Sequence, residues 1–359
     1  MSHKNFYNLT VKQIIKKTRD CITVAFHIPE DLKSLFQFKA GQYLTLKHTI
    51  HQEEFRRSYS ICSMPGEKDL VVAIKKLQGG KFSTFAHESL KPGDTLEVMP
   101  PAGNFLIHPN VRNVVFFAAG SGITPIISQI YFLLNQRSNT SLTLIYGNKN
   151  FASIIFREEL EGLKNKFLNR LSIHHVFSKE KTGVPLFFGR IDKEKCMSMS
   201  KSLFDINDTD AFMICGPNDM IFSVKDSLKE MGVPDHKIHF ELFNTSGLKY
   251  IFTETKPLDD SEKSRESEVT VQMDGDVFEF SLSYSGENLL DVAIAHGADL
   301  PYSCKGGVCS TCKAKITDGK VEMDLNYALE QYEIDAGYVL LCQSHPRSPR
   351  VFIDLDQKS

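Results

Sequence analysis

Three cysteines crowd into CKGGVCSTC at residues 304–312, spaced C-x4-C-x2-C, and a fourth, Cys342, stands alone downstream in YVLLCQS. No other feature constrains the fold as tightly. The small residues Ser303, Gly306, Gly307, Ser310 and Thr311 let such a loop wrap an inorganic centre closely, with backbone N–H groups aimed at its sulfurs. Cys342 can join the other three only if the fold brings its segment back to that loop. The remaining cysteines, at 21, 62, 196 and 215, are scattered. MSHKNFYNLTVKQIIKK has no apolar run of signal-peptide length, and no stretch reaches the roughly 18 apolar residues of a membrane span. A cytoplasmic protein without membrane insertion is therefore expected. In that reducing compartment a metal is a better account of the cluster than disulfides. Cys21, Cys62 and Cys196 read as small core residues.

The chain has 359 residues, long for one domain, with 42% hydrophobic and 24% charged side chains, enough to build two or three cores. CITVAFHIP, QYLTLKHTI, LVVAIKKL and DTLEVMPP are β-rich runs between Gly and Pro signals, so residues 1–108 read as an antiparallel barrel or sandwich. From 109 to 245 strand and helix patterns alternate: VRNVVFFAAG, GITPIISQIYFLLNQ, SLTLIYGN, FREELEGLKNKF. That alternation predicts a parallel sheet with crossover helices. Residues 246–267 lose periodicity, gain charge, and read as a linker. Beyond it, EVTVQMDGDVFEFSLS predicts a hairpin turning at Asp274-Gly275. A short helix follows over NLLDVAIAHG, capped by Asn288 and stopped at Gly297. Residues 268–359 carry 15 acidic and 7 basic side chains, a net −8, against +6 on residues 1–267. This polarity suits electrostatic docking of the two parts or of a partner. Nucleic-acid binding is not expected, because no Lys/Arg run interleaves with aromatics.

Two further constellations carry chemistry. Arg57-Ser58-Tyr59-Ser60 offers a cation for a pyrophosphate, an aromatic plane for a flavin ring and a hydroxyl near the atom that receives hydride. Gly80-x-x-Ser83 opens a helix whose first N–H groups could meet phosphate. In the α/β part, VVFFAAGSGITP runs from a strand through Gly120-Ser121-Gly122 into a helix near Thr124-Pro125. A second strand ends in Cys215-Gly216-Pro217. Such turns, at the carboxyl ends of parallel strands, are where a sheet of this kind binds ligands. The third glycine of the full dinucleotide fingerprint is absent. For the four thiols two centres compete: a two-iron cluster, and a structural zinc, for which two C-x2-C pairs are usual where this chain has one.

The cysteine spacing resembles that of plant-type 2Fe-2S ferredoxins. With the barrel and α/β motifs, the chain resembles the ferredoxin-NADP reductase superfamily fused to a carboxyl-terminal ferredoxin of that type, in the order found in reductases of oxygenases. The resemblance implies an FAD-binding antiparallel β-barrel, an NAD(P)-binding α/β domain and a β-grasp ferredoxin domain over 268–359. It implies that Cys304, Cys309, Cys312 and Cys342 hold the cluster. Arg57 would pair with flavin pyrophosphate, Tyr59 pack on the isoalloxazine and Ser60 lie near its reacting nitrogen, with Ser58 between them. Ile74 and Lys75 would line the flavin through their backbone. Gly80, Lys81, Phe82, Ser83 and Thr84 would hold its pyrophosphate. Gly120, Ser121, Gly122, Thr124 and Pro125, with Gly216 and Pro217, would accommodate the nicotinamide dinucleotide. Cys215 would sit beside the hydride-donating carbon, and Glu241 and Phe243 would close the site. Lys149, Ser153 and Arg157 precede the first acid, Glu158, after the second α/β strand, which favours NADPH over NADH.

The activity so implied converts two-electron donation by NADPH into one-electron delivery, through FAD and a 2Fe-2S cluster, to an oxygenase, hydroxylase or desaturase. An epoxidase of phenylacetyl-CoA is the leading acceptor; alkane or steroid hydroxylases are alternatives. A nitric-oxide-detoxifying flavoprotein would need a globin that this chain lacks. A zinc-binding sensor would need the flavin motifs to be coincidental.

Overall fold

The computed structural model describes residues 6–108, 110–243 and 259–357. The first sheet comprises β1 (Tyr7–Thr18), β2 (Cys21–His27), β3 (Tyr43–Ile50), β4 (Glu53–Ser60), β5 (Leu70–Lys75) and β6 (Thr95–Val98), with α1 (Lys81–Glu88) before the last strand. Its order is β4-β3-β6-β1-β2-β5, antiparallel throughout. Side chains alternate across each strand, so Leu9 and Val11 of β1 point inward while Asn8, Thr10 and Lys12 face water. Just past β4, Ile61 bridges Val72 of β5 and joins the two ends of the sheet. That closure decides for a barrel over a sandwich. Val24, Phe26, Leu44, Leu46 and Ile74 fill it.

The second sheet contains β7 (Asn113–Ala119), α2 (Ile123–Gln136), β8 (Ser141–Asn148), α3 (Arg157–Lys166), β9 (Leu171–Phe177), α4 (Lys193–Ser200), β10 (Ala211–Cys215), α5 (Asn218–Glu230) and β11 (Ile238–Glu241). The strands are parallel, in the order β11-β10-β7-β8-β9. The continuous apolar runs of β7 and β10 are those of strands covered on both faces. The chain leaves β7 toward β8 on one side and returns on the other for β10, so the strand order reverses between β7 and β10. Helix α2 starts at Ile123, one residue before the expected Thr124-Pro125.

One hydrophobic cluster joins barrel and sheet. Ile123, Ile126, Ile127 and Ile130 of α2 pack in it with Cys21, Cys62, Ala73 and Phe105 of the barrel segment. Residues 6–242 accordingly form one compact unit, within which the barrel interior keeps a hydrophobic cluster of its own. Cys21, Cys62 and Cys196 are buried. Burial pushes the Cys21 and Cys196 thiols up to about 12, and that of Cys62 higher still.

The carboxyl-terminal section has α6 (Asp260–Lys263), β12 (Glu266–Met273), β13 (Asp276–Ser283), α7 (Leu289–Ala295), β14 (Lys313–Asp318), β15 (Val321–Met323), α8 (Gln331–Asp335), β16 (Tyr338–Leu340), β17 (Ser344–Pro346) and β18 (Arg350–Asp354). The main sheet runs β13-β12-β18-β14-β16, with β15 and β17 paired apart. Only the β12–β18 pairing is parallel within that sheet, the β-grasp arrangement of a hairpin, a crossing helix and a late strand beside the first. Asp274 (φ 53) and Gly275 (φ 86) are both left-handed, as a two-residue type I′ hairpin demands. Asn288 accepts the Asp291 N–H at 3.0 Å, and Gly297 ends the turn after α7 at φ 94. Of the expected linker 246–267, residues 246–258 lie outside those described. Its last part is structured, with α6 and the first two residues of β12 inside it.

Candidate functional site

The four clustered cysteines converge. Cys304 sits at the rim of the loop, partly exposed, while Cys309, Cys312 and Cys342 are buried. Cys342 comes from a single 3-10 turn, Leu341–Gln343, immediately after β16, rather than from the strand itself. The Leu341 N–H donates to the Cys312 carbonyl at 3.1 Å, tying that turn to the loop. Hydrogen bonds from Cys309 and Cys342, then from the backbone N–H groups of Gly306 and Val308, pull the Cys304 thiol well below its ordinary value. Cys309 and Cys342 are pushed up as its donors. The Gly306 N–H lies 3.3 Å from Cys304 Sγ. Lys305 is left-handed at φ 51, and its ammonium bonds Asp291 at 2.6 Å. At Gly307 a Cβ would stand 3.0 Å from the Leu325 carbonyl oxygen. The donor set, four neighbouring thiols on a loop of small residues, fits a thiolate-bound iron-sulfur centre. Two neighbours escaped sequence reading: Lys305, and Gln343, whose Nε2 lies 3.7 Å from Cys342 Sγ and 3.2 Å from the Lys305 carbonyl.

At the barrel, β4 carries Arg57 to Ser60. Arg57 bonds the Arg56 carbonyl at 2.7 Å and lies 5.6 Å from the Phe55 ring centre. Lys81 lies 5.4 Å from the same ring and is paired with Glu53 at 2.6 Å. Gly80, the N-cap of α1, gives its first turn no side-chain cap, leaving two cations and an open helix start together. The Thr84 N–H is not part of that opening, since it bonds the Gly80 carbonyl at 3.0 Å. Phe82 is a core side chain, so only its backbone can face a ligand. Ser83 Oγ bonds the Gly80 carbonyl at 3.2 Å and accepts the Leu77 N–H at 3.1 Å, shaping the turn. Tyr59 packs on Phe82 with ring centres 5.8 Å apart, and burial raises its phenol, keeping it neutral. Ser58 pairs with Thr45 at 3.2 Å. Ile74 is fully buried and its carbonyl meets His87 Nε2 at 2.9 Å, which leaves that backbone oxygen engaged. Lys75 reaches toward the second sheet: its Nζ lies 3.5 Å from where a Gly120 Cβ would be.

The two strand-end turns meet at the reversal point of the parallel sheet. Gly120 is left-handed at φ 53, and its carbonyl accepts the Tyr146 hydroxyl at 3.0 Å. Thr124 Oγ1 donates to the Ser121 carbonyl at 3.0 Å. Pro125 is buried in the first turn of α2. A Cβ on Gly122 would stand 2.0 Å from the Cys215 carbonyl oxygen, and one on Gly216 would stand 2.7 Å from the Met220 methyl. Pro217 caps α5 in extended geometry.

The fold also brings Ser60 of the barrel to the end of β11, where its Oγ donates to Glu241 Oε2 at 3.4 Å. Cys215 pairs with Glu241 across β10 and β11. Burial raises the Cys215 thiol far above its ordinary value, and the Glu241 charge adds to the effect. Burial likewise pushes the Glu241 carboxyl up to about 8, partly offset by the Ser60 hydrogen bond. Phe243, just past β11, is partly exposed, and the residues after it lie outside those described. Lys149 is exposed, whereas Arg157 lies over the Phe151 ring at 4.6 Å. Ser153 is spent on its own turn: it donates to the Asn150 carbonyl at 2.7 Å and accepts the Asn150 N–H at 3.1 Å.

Comparisons with known proteins assign each part. The oxidoreductase FAD-binding domain family matches residues 8–107, the oxidoreductase NAD-binding domain family 116–226, and the 2Fe-2S iron-sulfur cluster binding domain family 273–347. The last span contains all four clustered cysteines and decides for iron-sulfur over zinc. The chain is 43% identical to a 1,2-phenylacetyl-CoA epoxidase subunit of Escherichia coli strain K12, over 98% of both chains. It is 32% identical to the ferredoxin reductase component of 3-ketosteroid-9-alpha-monooxygenase of Rhodococcus rhodochrous, over 96% of both. The fold matches phthalate dioxygenase reductase with a TM-score of 0.59 at 23% identity, covering 98% of each chain. No helix among the described residues is long and apolar enough to cross a membrane. Sequence and fold agree: the chain belongs to the family of oxidoreductases, that 1,2-phenylacetyl-CoA epoxidase subunit among them, that join an FAD-binding barrel, an NAD-binding sheet and a 2Fe-2S ferredoxin domain.

Proposed function

We propose that this protein is the reductase of a phenylacetyl-CoA epoxidase-type oxygenase, taking electrons from NADPH and delivering them singly to the oxygenase component. The 43% identity to the Escherichia coli epoxidase chain, running through all three domains, carries the reading. When bound, FAD accepts an electron pair as hydride and the 2Fe-2S cluster passes electrons one at a time.

The chain's own residues bind and align. Arg57, Lys81 and the N–H groups at the start of α1 receive the flavin pyrophosphate, with Glu53 giving up Lys81. Tyr59 supplies a neutral aromatic face. The glycine turns at 120–122 and 216 let the nicotinamide dinucleotide approach the backbone. Ser60, Cys215 and Glu241 surround the point where donor and acceptor meet, and the apolar burial of Cys215 keeps it a neutral thiol. Glu241 holds its proton at neutral pH. Between about pH 7 and 9 it ionises, placing a charge beside Ser60. Flavin reduction by the nucleotide should therefore change with a midpoint near 8, and Glu241→Gln should flatten that profile. Stability follows the same group. A carboxyl whose pKa is raised by folding contributes fully below its ordinary value and loses that contribution as pH rises through about 8. Thermal melts of Glu241→Gln should lose this dependence; a profile unchanged by the substitution would contradict the assignment.

Lys149 and Arg157 offer the cations that a 2′-phosphate requires. A charge-assisted hydrogen bond contributes about 1.5–3 kcal/mol, so Arg157→Ala should narrow the NADPH preference about tenfold or more. Equal loss with NADH would remove this role. To identify the acceptor, the protein is mixed with the oxygenase component of a phenylacetyl-CoA epoxidase, the aryl thioester and NADPH. Epoxide formation supports the reading. Turnover only with a 3-ketosteroid monooxygenase component would overturn it.

A further inference from the structure

We propose that Ser128 and Gln129, in the second turn of α2, are positioning residues for hydride transfer, fastening the barrel to the nucleotide sheet at a fixed distance. The inference rests on the reading that Ser60, Cys215 and Glu241 face the reacting atoms. Ser60 belongs to the barrel, Cys215 and Glu241 to the sheet, so their approach survives only if the two sheets cannot slide.

Both α2 side chains are fully buried, and both donate across to the barrel segment. Ser128 Oγ bonds the Ser63 carbonyl at 2.6 Å. Ser63 lies just beyond Ser60 in the chain and is held from the other side, since its Oγ accepts the Val71 N–H at 3.2 Å. The Ile61 N–H, between them, bonds the Gln42 carbonyl at 2.8 Å. The segment carrying Ser60 is thus clamped between β5 and α2. Gln129 Nε2 bonds the Phe105 carbonyl at 2.6 Å. Gly41, left-handed at φ 102, makes room for this bond: a Cβ there would stand 2.0 Å from that carbonyl oxygen and 2.6 Å from Gln129 Nε2.

Gln129 Oε1 has no hydrogen-bond partner among the described residues. A buried amide with an unmet acceptor is costly, and a leucine in its place would leave the Phe105 carbonyl without this donor. What the amide supplies in return is direction, which packing alone does not give. The same helix is capped by Gly122, whose closeness to Cys215 shapes the nucleotide turn, so α2 references both halves of the site to one rigid element. An ion pair between Lys17 of β1 and Glu159 of α3 adds a fastening at the edge of the joint.

The test uses the full-length protein loaded with FAD and its cluster. Ser128→Ala, Gln129→Leu and the double variant are mixed rapidly with saturating NADPH and flavin bleaching is followed, alongside melting temperature, flavin content and nucleotide affinity. A misplacement of about 1 Å can cost about a hundredfold in rate. The expected result is a loss of tenfold or more in the bleaching rate of the double variant, with nucleotide affinity within about threefold of wild type. The isotope effect with 4-deuterated nucleotide should also rise, a change that a merely structural role would not produce. Ser128→Thr, which keeps the hydroxyl, should recover most of the rate. A folded, flavin-loaded double variant that bleaches at the wild-type rate would overturn the proposal. If the double variant does not fold, Ser128→Ala alone is judged by the same criteria. Wild-type protein that fails to bleach with either nicotinamide cofactor would instead sink the underlying site reading.

Discussion

Cys304→Ala is expected to remove the paramagnetic signal of the reduced cluster and to lower electron delivery to a one-electron acceptor such as cytochrome c by at least about a hundredfold. Changes to residues that merely support metal ligands already cost 10–100-fold, and this one deletes a proposed ligand. Among the four, Cys304 is the informative choice. Cys312 and Cys342 are part of the hydrophobic core of the ferredoxin section, so replacing them mixes loss of the cluster with loss of packing. Cys304 sits at the rim and outside that core. Flavin reduction by NADPH should stay near the wild-type rate in the variant, because its site belongs to the other compact unit. Cys196→Ala is the control: its thiol is buried against α5, and the cluster signal should be unaltered. Spectroscopy of the reduced proteins decides the matter, and a normal signal in Cys304→Ala would remove it from the ligand set.

Gly122→Ala should be nearly as damaging to the other half of the reaction. Its added methyl would stand 2.0 Å from the Cys215 carbonyl oxygen, 2.4 Å from the Cys215 carbonyl carbon and 2.7 Å from the Gly216 nitrogen. These are backbone atoms of a buried strand end, so no side chain can swing aside. Either the turn after β7 or the turn after β10 must shift, and both lie where the nucleotide is proposed to bind. Overpacking of this kind costs about 1–3 kcal/mol and occasionally more. A displacement near 1 Å at the site adds about a hundredfold in rate. Stopped-flow flavin reduction should show that loss, with flavin still bound and electron delivery from dithionite through the cluster intact. A wild-type rate in the alanine variant would mean that the two turns tolerate separation.

Much of this was legible in residue order, for stateable reasons. Cysteine spacing is local, so the loop at 304–312 and its need for a fourth thiol could be read directly. Asp274-Gly275 between alternating strands specified its own turn, and the unbroken apolar run of β7 specified a strand covered on both faces. What escaped depended on contacts between distant segments. Ser60 and Glu241 meet only because the barrel docks on the sheet, and no spacing rule joins β4 to β11. Ser153 is among the residues whose order favours NADPH, and its bonds to the Asn150 backbone belong to a local turn that residue order does not display. The last part of the expected linker is structured, and the sequence carries a signal for it. Asp259 accepts the Glu262 N–H at 2.8 Å while Glu262 accepts the Asp259 N–H at 3.2 Å, and this reciprocal cap was hidden in a run of charge.

The cluster in which Cys21, Cys62, Ala73 and Phe105 interlock with the α2 isoleucines limits how such genes can be recombined. A crossover between two relatives near residues 108–112 would set each donor's α2 against a foreign floor, with the Ser63 and Phe105 carbonyls stranded unless both parents match there. The iron-sulfur portion has a hydrophobic core of its own. Lineages of these reductases should therefore exchange the ferredoxin as a cassette while inheriting barrel and nucleotide sheet as a single block.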